Sequence, residues 1–529
     1  MKKEKLLKQN GKEYWRSLDQ LADTPEFREL VQREFPEQAS ELSNPLTRRN
    51  FLNLMGASIA LAGLASCRRP VEKIIPYVIK PEEIIPGVAE WYATTMPMGL
   101  NAYGMLAKSH EGHPTKIEGN EKHPSSLGST NSFMQSAILG LYDPDRSKLV
   151  MSKGKQSSWN EFVAVWRDVL NGLKTTKGEG LAILSESFSS PTLARLQSQL
   201  LKNFPAATWA TYDAVSDENI FEGVRVATGR PYVGIKDLSK AEVIVALDSD
   251  FLHMESDNIV AARGFAHGRR VRSEKDGMNR LYVAESSFSV TGGMADHRLR
   301  IQSRQVGAFA GALAKEMTSM GVPVAGADAA VAGSFDQKWI SAAAKDLIAA
   351  KGKSLVVAGP RQPAAVHALV FAMNDALGNI GSTVQYREPT DAALPNSASL
   401  IELVKNMNDR KFSTLLILGG NPAYNAPVDV DFGSALAYVA NSIHVSGYYD
   451  ETSAQTTWHI PQAHFLESWG DARSTDGTAS VVQPLIEPLY KGKTAHELLS
   501  ILLGNDTATA YDIIRASWMA RQGTDGFEK

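Results

Sequence analysis

The chain has 529 residues, with 55 Lys and Arg against 58 Asp and Glu, a formal charge of −3. At roughly 150 residues per domain the length means three or four domains' worth of packing, and the charge balance gives no argument for a nucleic-acid partner. One cysteine, Cys67, excludes an internal disulfide, multi-cysteine zinc and an iron–sulfur cluster ligated by this chain alone.

Residues 1–67 read as a leader. Tyr14-Trp15-Arg16-Ser17-Leu18-Asp19 forms an amphipathic segment, and the paired Arg48 and Arg49 stand directly before an apolar run at 54–65. That run, about a dozen residues, suits a secretory signal and is too short for a membrane span of roughly 20. Paired arginines point to the twin-arginine export route. The run closes in Leu64-Ala65-Ser66-Cys67, which looks like a bacterial lipobox, so Cys67 would carry a diacylglyceryl group. Two or more acyl chains hold a protein stably at a bilayer surface. The competing reading is a buried helix that ends in a core cysteine.

Residues 68–90, spaced by Pro70, Pro76, Pro81 and Pro86, read as an extended tether. Residues 91–158 form a small β-containing domain, with strand-like pieces at 104–108 and 115–119 about a turn at Gly112. From Trp159 the texture alternates between strand and helix. Continuous apolar runs at 181–184, 242–247, 280–284, 354–359 and 414–419 have the character of buried parallel strands, and amphipathic stretches at 191–203 and 363–377 that of covering helices. The fold class is α/β, parallel sheets flanked by helices, divided into a first α/β domain at 159–320 and a second at 321–529 with a helical segment at 511–521.

Ligands of such sheets sit beyond the carboxyl ends of the strands. The loops there include Ser185-Glu186-Ser187, Asp248-Ser249-Asp250, Gly359-Pro360-Arg361 and Gly419-Gly420-Asn421-Pro422, and none is a dinucleotide fingerprint or a P-loop. The glycine pair could offer amides to a phosphate or simply turn the chain. Asp248 and Asp250 could do acid/base work or cap a helix. His110 and His113 could ligate a metal or flank an exposed turn. The basic stretch Arg263, His267, Arg269, Arg270, Arg272 and Lys275 could dock an acidic subunit or lipid headgroups, or be solvated. No nucleophile elbow supports hydrolase chemistry.

Several motifs, in this order, resemble the molybdopterin oxidoreductase superfamily over about residues 88 to 490. They are Thr115 to Asn120 with His123-Pro124, Leu141-Tyr142-Asp143-Pro144-Asp145-Arg146, Gly293-Met294-Ala295-Asp296-His297-Arg298-Leu299, Gly420-Asn421-Pro422, Glu451-Thr452, Ile460-Pro461 and Glu467-Ser468-Trp469-Gly470-Asp471. The resemblance implies a multidomain fold with a small N-terminal β unit, and the family's C-terminal β-barrel domain is expected to be missing. Many members carry a four-cysteine cluster motif; the corresponding ground at 96–105 and 128–132 holds no cysteine.

With the Tyr-Trp-Arg-Ser-Leu leader, twin arginines and lipobox, the chain is similar to the B subunits of alternative complex III, quinol:electron-acceptor oxidoreductases of respiratory or photosynthetic electron transfer. That resemblance implies a non-catalytic structural subunit with no catalytic residue, no cofactor and no metal of its own. Its implied place is the periplasmic face of the membrane, lipid-anchored through Cys67 after twin-arginine export at Arg48 and Arg49. Implied partners are an iron–sulfur, ferredoxin-like half or subunit, multihaem cytochrome c subunits and polytopic quinol-binding membrane subunits. Two alternatives stand beside it: an active molybdenum bis-pterin oxidoreductase, and a lipid-anchored periplasmic solute-binding protein.

Overall fold

The computed structural model describes residues 24–34, 85, 87–329, 333 and 335–523. Arg48, Arg49, Cys67 and most of the tether lie outside them. Residues Met1–Glu82 form one unit, whose described part is the helix Pro25–Glu34, and Glu83–Lys529 form another. Among the described residues no helix is long and apolar enough to cross a membrane.

The second unit opens with an antiparallel sheet of β1 (Glu90–Met98), β2 (Asn101–His110) and β3 (His113–Gly119). The expected strand-like pieces lie in β2 and β3, and β1 extends the unit by a strand the sequence pattern did not reveal. Gly104 is required here, because a Cβ on it would lie 2.1 Å from the His123 ring.

The chain next lays down four strands of a seven-stranded sheet: β4 (Met151–Ser152), β5 (Lys155–Gln156), β6 (Leu181–Ser185) and β7 (Thr208–Thr211). It then leaves. A hairpin-like pair, β8 (Val233–Lys236) with the later β13 (Val384–Arg387), brackets a parallel sheet of β9 (Val243–Leu247), β10 (Arg280–Glu285), β11 (His297–Arg300) and β12 (Ser354–Ala358). Afterwards it returns to the first sheet with β14 (Thr414–Leu418), β15 (Asn441–Ser446) and β16 (Trp458–Pro461), and closes with the antiparallel pair β17 (Gly470–Arg473) and β18 (Ala479–Val482).

The division at 320/321 therefore does not follow the sheets. Each parallel sheet draws strands from both sides of it, and β4 and β5 join the seven-stranded sheet rather than the small β unit. Pairing between buried apolar strands, not order along the chain, decides which strands share a sheet.

Both faces of each parallel sheet are covered, which explains continuous apolar runs in place of alternation. On β9, Val243, Val245 and Leu247 face the helices Val306–Ser319, Gln337–Ala349 and Ala364–Ala376, while Ile244 and Ala246 face Phe251 and Phe265. On β14, Leu416 and Leu418 meet Phe162 and Trp166 of the helix Trp159–Thr175, and Leu415 and Ile417 meet Leu403 and Phe432. That helix starts on a capping box in which Ser158 and Glu161 exchange hydrogen bonds, and the helix Pro191–Asn203 on Ser190 followed by Pro191.

Strand order fixes where each sheet reverses. The four-stranded sheet runs β11-β10-β9-β12, so its reversal lies between β9 and β12; the parallel core of the larger sheet runs β16-β15-β14-β6-β7, reversing between β6 and β14. At the first reversal Gly359 follows β12 so closely that a Cβ would lie 2.0 Å from the Asp248 carbonyl oxygen. Gly359→Ala is expected to lower stability by about 1–3 kcal/mol or more, since neither backbone can yield. The urea midpoint reads this, and an unchanged midpoint would show that the two loops are free to separate.

Candidate functional site

Where β6 and β14 part, β6 ends in Ser185 and runs into Glu186, and β14 ends in Leu418 and turns through Gly419 and Gly420. Both glycines have positive φ, 77° and 69°, a region open to glycine at no steric cost. The turn lies directly on Glu186: a Cβ on Gly419 would fall 2.4 Å from its Oε2. Solvent reaches this carboxyl through the crevice, yet the surrounding walls crowd it. Its pKa is pushed up to about 7, by burial first and by the charge of Asp213 second, against the Gly420 amide it accepts. A perturbed carboxyl at a strand-order reversal is the feature that marks a candidate site.

Beyond Glu186 opens a cavity of about 450 Å³ walled by Phe188, Trp209, Phe465 and Trp469, with Tyr448 and Gln462 at its polar side. Trp209 is fixed by the 3.1 Å hydrogen bond its indole N–H donates to Ser185.

At the other reversal, Asp248 is buried with φ +52°. Its carboxylate accepts from the Ser286 amide at 3.2 Å and from Gln362 at 3.0 Å, and Arg361 lies 3.6 Å away. Asp250 accepts from the amide and hydroxyl of Thr291. The two aspartates thus tie different loops together and do not converge as an acid/base pair.

The sequence motifs meet one another in space. Arg146 and Glu467, both buried, form a two-pronged ion pair at 3.0 and 2.7 Å, and Arg146 also donates to Leu141 O. Glu467 accepts in addition from the amides of His464 and Leu489. Burial alone would raise the Glu467 carboxyl; Arg146 and the amides outweigh it and hold it below the usual range. Asn421 accepts from Thr452 and donates to Glu451. Buried Asp471 gathers Ser190, Thr192 and the Trp518 indole. Arg269 and Arg298 pair with Asp296 and Glu285. His123 reaches across to Ser480 at 2.7 Å.

One buried chain of hydrogen bonds carried no signal in the sequence: Gly420, His444, Ser453, His459 and Ser147. Its direction follows from its end. The Gly420 oxygen only accepts, so His444 Nε2 carries the hydrogen and Nδ1 accepts from Ser453. The Ser453 hydrogen is then used, so His459 Nδ1–H donates to Ser453 and Nε2 accepts from Ser147. Burial lowers both imidazoles, His459 to about 4, so the chain is neutral.

His110 and His113 face each other across the β2–β3 turn, and His113 stacks on Tyr142; among the described residues no group of three potential ligands could hold a metal. In the basic stretch Arg263 donates to Leu127 O and Arg269 is paired, while Arg270, Arg272 and Lys275 are exposed. The lipidation residue Cys67 and export residues Arg48 and Arg49 lie outside the described residues.

No family model matches the chain. It is 24% identical over 491 residues to the menaquinone reductase, molybdopterin-binding-like subunit of Nitratidesulfovibrio vulgaris, an alignment covering 84% of this chain and 70% of that one. Among solved structures, acetylene hydratase from Pelobacter acetylenicus superposes with a TM-score of 0.58 at 13% identity, covering 76% of this chain and 68% of the other. The fold is that of the molybdopterin oxidoreductases. Within it, the motifs singled out in the sequence are clasps between loops, and the crevice at Glu186 lies among them.

Removing one member of the central clasp leaves a buried charge alone. Arg146→Met is expected to cost about 3–5 kcal/mol, and adding Glu467→Leu to restore most of it, as read from urea unfolding. Glu186 sets a pH dependence of opposite kind to an ion-paired carboxylate. Its folded pKa, about 7, lies above its ordinary 4.5, so its support for the fold is complete below 4.5 and lost as pH rises through 7. Glu186→Gln removes that loss, and its melting-temperature advantage over the wild type is expected to be larger at pH 8 than at pH 5.

Proposed function

We propose that this chain is a non-catalytic structural subunit of a membrane-bound, quinone-linked oxidoreductase complex of the alternative complex III type. The similarity to a protein named as a menaquinone reductase subunit supports the complex, and the crevice at Glu186 supports the non-catalytic part. The observation that carries it is the placement of two acidic side chains, Glu186 and Asp213, at the reversal between β6 and β14. A phosphate-bearing pterin seated where β6 and β14 part would meet the acidic side chains of Glu186 and Asp213, so the residues present there do not fit such a group. A single cysteine supports the same reading, since electrons would then pass through an iron–sulfur partner and multihaem cytochrome c subunits beside quinol-binding membrane subunits. The segment from Arg48 to Cys67 supports export by the twin-arginine route and a lipid anchor at the periplasmic face.

Purification from membranes in mild detergent tests the whole reading. Co-migration with haem-bearing and membrane-embedded polypeptides is expected, with molybdenum far below one atom per chain. Stoichiometric molybdenum, or migration as a lone protein, would overturn it. Cys67→Ser is expected to move the chain from the membrane to the soluble fraction in a strain whose partner subunits are deleted, and retention there would exclude the anchor.

A further inference from the structure

Beside the cavity at Glu186, from which Ser468 and Trp469 divide it, an open groove of about 1120 Å³ runs between the start of the helix Trp159–Thr175, the segment after β18 and the helix Ala510–Gln522. Its volume exceeds that of an ordinary small-molecule site, roughly 300–1,000 Å³. Four rings form its walls: Trp159, Trp469, Tyr490 and Tyr511. Each is held by a neighbour. Trp469 meets Tyr511 edge-on at 5.2 Å, Lys493 sits 4.8 Å over Trp159, and Tyr490 lies between Arg146 at 5.3 Å and Lys148 at 5.5 Å. Rings fixed before a partner arrives lose little freedom on binding, which is how aromatic anchors come to dominate interfaces.

The groove's backbone cannot recruit a strand along its length, because Pro484 and Pro488 remove donors from the segment that lines it. Recognition must therefore run through side chains. The charges say of which kind. Glu467 is consumed by Arg146 and Glu497 by Lys493 at 2.8 Å. Among the described residues that leaves two lysines at the rim, Lys148 and Lys491, exposed and without a carboxylate partner, against one unpaired glutamate, Glu487. Apolar aromatic walls rimmed by two exposed lysines, Lys148 over the Tyr490 ring and Lys491, against one glutamate match apolar side chains interspersed with carboxylates.

We infer that this groove docks an acidic, apolar-rich segment of another polypeptide of the assembly, an inference that rests on the subunit reading above. The exposed Tyr511, replaced by a photoreactive p-benzoylphenylalanine, tests it in the intact complex. Irradiation is expected to join position 511 to a peptide of a different subunit in which Asp or Glu lies beside apolar residues. An adduct within this chain, with a second copy or with lipid, or no adduct while the complex stays whole, overturns the groove assignment and leaves the subunit reading standing. A chain that purifies alone overturns both.

Charge reversal supplies the second arm. Lys148→Glu with Lys491→Glu is expected to cut co-purification of that subunit about tenfold at low salt, with the melting temperature unchanged. Undiminished recovery of that subunit by the reversed-charge protein would overturn the assignment.

Discussion

A charge below the surface of a protein must be answered by another, and in this chain the answer at Glu467 comes from more than three hundred residues earlier, at Arg146. The pair is the constraint on which the arrangement turns. It fixes the end of the N-terminal β unit against the segment between β16 and β17, and with it the mouth of the crevice at Glu186. Every remaining acceptor of Glu467 is met by an amide, so the pair specifies one geometry where an apolar substitute of similar volume would tolerate several. The same logic recurs at Asp471, where hydroxyls and an indole take the place of a cation.

Much of this was legible before any coordinates. Runs such as Leu181 to Leu184 and Thr414 to Leu418 are strands because both faces are covered, and continuous apolarity is the imprint of two-sided burial. The helix Pro191–Asn203 was marked at its start by Ser190 and Pro191. The loops at the carboxyl ends, Glu186 and Gly419 among them, follow from the same reading, because in a parallel sheet that end gathers the loops which face a ligand.

What the sequence concealed was partnership. Nothing in Leu-Tyr-Asp-Pro-Asp-Arg announces that its arginine meets the glutamate of Glu-Ser-Trp-Gly-Asp. His444 and His459 sit inside β15 and β16, two strands the apolar runs did not mark, and the serine joining them lies in a short helix between those strands. The division into two successive α/β domains failed for a related reason. Apolar strands advertise burial but not which neighbour they will lie against, and here that neighbour is often far away along the chain.

The interleaving has a consequence for how the molecule comes into being on the ribosome. β6 and β7 emerge early, but the strand that belongs beside β6 is β14, and the whole smaller sheet must be synthesised between them. Until β14 is made, one edge of an apolar pair stands open, the condition under which nascent chains adhere to one another. The smaller sheet lacks this difficulty, since its four strands follow without interruption by the other. It is the natural first piece to condense, and the larger sheet, which builds a core of its own, is completed only when β14 to β16 arrive.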